Sequence, residues 1–161
     1  MNMFGYLLRP ESRGHIHVAS PRATDAPAIT PNYLAARSDQ LGSVAMIRFI
    51  RRLAGQGPLA THLMREVEPT AGAETDEAIL DAFRREGRSG QHACGTCAMG
   101  RDRRAVVDSR LNVIGLAGLR VVDTSIFPNM LSGNLNAPTM AMASRAAELI
   151  LEDRREARLD R

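Results

Sequence analysis

The spacing of apolar residues changes along this chain, and each change marks an element. In SRGHIHVAS, residues 12–20, His15, His17 and Ala19 alternate with Ile16, Val18 and Ser20 after an Arg13–Gly14 turn signal. That period of two predicts a strand. The next stretch, PRATDAPAITPNYL, carries Pro21, Pro27 and Pro31, which predicts an extended loop because proline offers a helix no N–H. Leu41, Val44, Ile47, Ile50 and Leu53 then share one helical face, with Ser38–Asp39 as the cap and Gly55 and Gly57–Pro58 as the stop. Residues 65–74 read as a polar loop. Ile79, Ala82 and Phe83 predict a second helix, capped by Thr75 or Asp76 and ending near Gly87.

Glycines and short segments fill 88–118, and LRVVD at 119–123 is a β-branched run that suits a buried strand of a parallel sheet. After TSIFPNMLSGNLN the longest helix is predicted from about Ala137, with Pro138 in its first turn. Its buried stripe is Met140, Ala143, Ala147, Ile150 and Leu151, and its charged end, EDRREARLDR, is expected to fray. A single buried-type strand cannot form a sheet, and the early strand shows no hairpin mate. The pattern therefore predicts the end of something larger.

With 161 residues, 44% hydrophobic and 24% charged, the chain is long and apolar enough for a domain with a core. The net charge is +3 and every basic residue is arginine, but Arg48, Arg51, Arg52, Arg84, Arg85, Arg101, Arg103, Arg104, Arg154, Arg155 and Arg158 are scattered among acids. They read as solvated faces and not as a nucleic-acid stripe. An aromatic content of 4% with no Trp speaks against base stacking. Cys94 and Cys97 are too close together to staple a long loop, and MNMFGYLLRPESRG lacks the apolar run of a signal peptide. No stretch approaches a membrane span. A cytoplasmic chain without disulfides is expected.

Few residues carry obvious chemistry. His92 alone could be structural. Cys94-Gly-Thr-Cys97 could be a redox dithiol, but a thioredoxin-like motif needs a βαβ context. His92, Cys94 and Cys97 could bind zinc, yet a structural site wants four ligands, and His62 is the one spare histidine nearby in sequence. His15 and His17, at i and i+2, can chelate a metal, but no third ligand is suggested. No metal is assigned. Asn134 and Asn136 can build a turn and a cap.

Three segments taken together say more: HACGTCAMG (92–100), VVDSRLNVIGLAGLRVVDTSIFP (106–128) and SGNLNAPTMAMASRAAELI (132–150). In this order and spacing they resemble the C-terminal part of the glucose–methanol–choline oxidoreductases, in their choline dehydrogenase-like form. SRGHIHVAS and PAITPNYL look like that family's substrate domain. Two positions depart from the family pattern: Ala93 stands where proline often follows the histidine, and Cys94 is unusual.

The resemblance implies an α+β fold. Residues 10–105 would form part of a substrate-binding domain with an antiparallel sheet. Residues 106–155 would return as the last strand and helix of an FAD-binding, Rossmann-like domain, and 156–161 would be a charged tail. It implies oxidation of a primary or secondary alcohol to a carbonyl, with hydride passing to FAD and a proton to His92. Asn134 would face His92 across the substrate. Asn136 and Ala137 would contact the flavin, and Asp123 and Thr124 its ribityl chain. The family's glycine-rich dinucleotide turn, G-x-G-x-x-G, does not occur here. The expected partners are therefore a small-molecule alcohol and an N-terminal FAD-binding half. A non-catalytic remnant of such an enzyme, and a small metal or dithiol protein using His92, Cys94 and Cys97, remain as alternatives.

Overall fold

The structure, a computed structural model, describes residues 1–159; Asp160 and Arg161, the last of the expected charged tail, lie outside the described residues. Its elements are β1 (His15–His17), β2 (Ala28–Thr30), α1 (Arg37–Ala54), α2 (Gly57–Ala60), α3 (Asp76–Glu86), a 3-10 turn (Thr124–Ile126) and α4 (Asn136–Leu159). They divide between two compact units, Met1–Gly90 and Gln91–Arg161.

In the first unit the early strand does have a mate. β1 pairs antiparallel with β2, setting His15 opposite Thr30 and His17 opposite Ala28. The stretch expected to be loop supplies that mate because Ala28–Thr30 fits between Pro27 and Pro31, so neither proline has to donate to the ladder.

The cap expected at Ser38–Asp39 is not one. α1 starts after Ala36, which makes no side-chain cap bond. Asp39, 4% exposed, instead accepts the N–H groups of Glu11 at 2.9 Å and Ser12 at 2.7 Å, tying the incoming chain to the helix. Burial pushes its carboxyl up. The hydrogen bonds from Ser12 and Glu11 and the charge of Arg13 together outweigh that and hold it below the usual carboxylate range.

α1 and α3 pack through Val44, Ile79 and Leu80, with Ala73, Ile47 and Phe83 around them. Leu41 and Leu53, expected on the buried face, are half exposed. At α3 the sequence reading holds: Thr75 Oγ1 accepts the Ala78 N–H at 3.2 Å, and Gly87 closes the helix. Gly57–Pro58 does more than stop α1, since it opens the short α2 with proline in the first turn. Arg51 is not a solvated charge. It pairs with Glu66 and donates to the carbonyls of Thr70 and Ala73 at 2.9 Å, fastening the loop before α3.

The second unit is built on isolated bridges, Met99 with Val107, Val107 with Val113 and Asn112 with Arg120, and not on a sheet. Its core is Val107, Leu111, Ile126 and Ala146, lined by Met99, Val121 and Met142. The 119–123 run, expected as a buried parallel strand, is not a strand here, and Leu119 and Val122 are exposed. Its backbone partner among the described residues is 111–113, antiparallel through the Asn112–Arg120 bridge, with Val113 N–H donating to Leu119 O at 2.9 Å and Val121 N–H to Leu111 O at 3.2 Å, whereas a buried parallel strand needs parallel neighbours.

α4 runs unbroken from Asn136 to Leu159, further than the frayed end expected. It buries Ala146 and Leu149, with Met142 beside them. The predicted stripe is therefore one face off: Met140 and Leu151 are 66% and 52% exposed. Near its far end Asp153 takes salt bridges from both Arg110 and Arg120. The hydrogen bond from Arg110 leads in holding its carboxyl below the usual range. No described helix is long and apolar enough to cross a membrane.

Candidate functional site

His92 sits in irregular chain that backbone bonds hold in shape. Gln91 before it and Gly95 after it take positive φ, 60° and 88°. Glycine suits the second bend, because a Cβ there would sit 3.3 Å from the Phe127 carbonyl oxygen. Next, Cys97 N–H donates to Ser125 O at 3.0 Å and Met99 N–H to Ile126 O at 2.8 Å. HACGTCAMG is thereby laced to the 3-10 turn, whose Ile126 is fully buried. Leu135, 2% exposed, anchors the chain just before α4.

These anchors bring the two ends together. His92 Nε2 lies 3.2 Å from Asn134 Oδ1, and the Leu135 N–H points at His92 Nδ1 over 3.5 Å. His92 is half-buried, while Asn134 is exposed. With the ring proton on Nε2, His92 donates to Asn134 Oδ1 and leaves a lone pair on Nδ1 facing the Leu135 N–H. The reverse form puts the proton on Nδ1 and lets Nε2 accept from the turned-over Asn134 amide. That reversal gives up the long Leu135 contact.

The other expected residues fall around this pair. Asn136 and Ala137 are the exposed first residues of α4, which has no acidic residue in its first turn. Asp123 precedes the 3-10 turn, and its carboxylate accepts the Ser125 N–H at 2.8 Å. Thr124 opens that turn. Both therefore lie on the segment to which the His92 loop is bonded. Sequence reasoning missed the Leu135 N–H, a backbone group with no signature in residue type. Cys94 and Cys97 form no disulfide and are half-buried. Among the described residues no group of three or more His, Cys, Asp or Glu could hold a metal ion.

Comparison with known proteins agrees along most of the chain. The family model described as GMC oxidoreductase matches residues 10–143. An alcohol dehydrogenase [acceptor] of Pseudomonas putida is 40% identical over 98% of this chain and 29% of its own length. An oxygen-dependent choline dehydrogenase of Escherichia coli O45:K1 is 39% identical over 89% of this chain and 25% of its own length. Among solved structures, pyridoxine 4-oxidase from Mesorbium loti superposes with a TM-score of 0.81 at 33% identity, covering 88% of this chain and 28% of that one. An FAD-dependent oxidoreductase from Chaetomium thermophilum gives 0.84 at 32% identity, covering 92% of this chain and 26% of that one. The chain thus spans between a quarter and three-tenths of the curated relatives it matches. With the family model covering most of its residues and the relatives agreeing, the chain belongs to the GMC oxidoreductase family.

Proposed function

We propose that this chain supplies the catalytic C-terminal part of an FAD-dependent oxidoreductase that converts a primary or secondary alcohol to a carbonyl. The observation that carries the reading is the 3.2 Å contact between His92 and Asn134, 42 residues apart in sequence and next to the open end of α4. Alcohol oxidation needs a base for the hydroxyl proton, and imidazole titrates near working pH. With the ring proton on Nδ1, His92 takes that proton at Nε2. The Asn134 amide donates to the same oxygen and holds it as its charge changes, but it cannot be the base. The substrate oxygen thereby replaces the bond that the two side chains otherwise make to each other.

FAD, when bound, accepts the hydride from the alcohol carbon. The residues present fit such a group. The first-turn N–H groups of Asn136 and Ala137 have no intrahelical acceptor, and the dipole of a 24-residue helix favours negative charge where no carboxylate competes. Asp123 and Thr124 would hold the ribityl hydroxyls. In the assembled protein residues 10–105 belong to the substrate-binding domain and 106–155 complete the Rossmann-like FAD-binding domain, where 119–123 gains the neighbours a strand needs. The N-terminal half of the same family supplies the dinucleotide fold.

A chimera tests this. The matching stretch of the Pseudomonas putida alcohol dehydrogenase is replaced by this chain, and flavin content and alcohol turnover are measured. The chimera is expected to hold FAD and oxidise alcohols. His92→Ala should retain flavin and lower kcat by roughly 10²–10⁴-fold, and Asn134→Ala should lower it less. A flavin-loaded His92→Ala chimera with unchanged kcat would remove the base. The purified chain alone should be colourless and inactive, and a yellow, active chain would remove the need for the other half.

A further inference from the structure

We propose that His15 and His17 form a two-imidazole site for a divalent late transition-metal ion. Side chains alternate along a strand, so the two rings stand on one face of β1. Both residues are exposed, and the residues paired with them across the hairpin, Thr30 and Ala28, are short and leave that face open. The ring centroids lie 4.9 Å apart with the planes at 41°.

That separation is one a shared ion permits. A metal bound in line with a ring nitrogen at about 2.0–2.1 Å sits roughly 3.2 Å from the ring centre. Two rings held that way have centroids about 4.5 Å apart for a right-angled N–M–N and about 5.2 Å apart for a tetrahedral one. The observed 4.9 Å falls between them. The ring centres thus stand at a separation that one shared ion fits. Water fills the remaining positions, as at other open sites, and the nitrogen donors favour Cu²⁺, Ni²⁺ and Zn²⁺ over Mg²⁺ or Ca²⁺. The site is separate in sequence from His92 and Asn134, and it stands whether or not they are catalytic.

The test is a calorimetric titration of the full chain with Ni²⁺, which does not oxidise Cys94 and Cys97. One ion per chain is expected. His15→Gln or His17→Gln should each weaken binding by about tenfold or more, because the second imidazole acts at high effective concentration. The double variant Ile16→His/His17→Ile keeps two adjacent histidines but turns them to opposite faces, and it should weaken binding as much. His62→Gln should change nothing. Affinity unchanged from the parent chain in the His15→Gln and His17→Gln variants, or loss of binding only in Cys94→Ser, would overturn the proposal. Circular dichroism of each variant separates lost ligands from lost fold.

Discussion

Asp39 is a buried carboxylate whose two oxygens are taken by backbone N–H groups 27 and 28 residues away. Its folded-state pKa lies below the unfolded one, so the folded chain binds its proton later on acidification. The stabilisation is complete above the ordinary carboxylate range and is lost as pH falls through the lowered value. Asp39→Asn should cost about 1–3 kcal/mol at neutral pH, and it should flatten the acid limb of a stability-versus-pH curve from urea denaturation. An unchanged acid limb would mean that another carboxylate governs it. The sequence placed Asp39 near a helix start but misread its role, because a cap for its own helix and a latch for another segment share the same residue type and position. The contact between His92 and Asn134 joins two residues that the sequence had already singled out by side-chain type. The Leu135 N–H that faces His92 Nδ1 was not legible in the sequence, since nearly every residue offers one.

Helix α3 was legible to its ends because Thr75 and Gly87 have local roles that spacing reveals. Helix α4 was legible in place but not in orientation. Residues 137–151 include Ala137, Met140, Ala141, Met142, Ala143, Ala146, Ala147, Leu149, Ile150 and Leu151. A helix that is apolar nearly all round has no single best face, and this is the mark of one buried on several sides. Within this chain the core takes only Met142, Ala146 and Leu149. The packing separates two neighbouring alanines. Ala146 is 1% exposed in the cluster of Val107 and Ile126, whereas Ala147 is exposed. Ala146→Leu should therefore destabilise the isolated chain by about 1–3 kcal/mol through overpacking. Ala147→Leu should stay within about 0.5 kcal/mol. Thermal unfolding of both variants checks this, and equal losses would show that the helix face is wrong.

The whole chain exposes 12246 Å². A folded monomer of its 17.5 kDa should expose about 7,900 Å². Even two separate folded bodies of half that mass would expose only about 9,500 Å² in total. The excess is partly apolar. In the second unit Ile114, Leu116, Leu119, Met140 and Leu151 are all about half exposed or more, and a soluble monomer seldom leaves so many large side chains uncovered in one unit. The same physics explains why 119–123 reads as a strand and is not one, and why the unused apolar positions of α4 looked like a core. Those residues follow the pattern of a larger packed protein, and this chain spans at most 29% of the length of the relatives above. The isolated chain should therefore bind a hydrophobic-surface dye strongly and associate as its concentration rises, by light scattering and sedimentation. The chimera with the rest of the Pseudomonas putida protein should do neither. Leu119→Ser and Leu151→Ser should reduce dye binding by the isolated chain without unfolding it, because neither side chain is in its core. A monomeric, dye-silent chain at high concentration would show that these faces are already covered in solution, and the surface comparison would then fail.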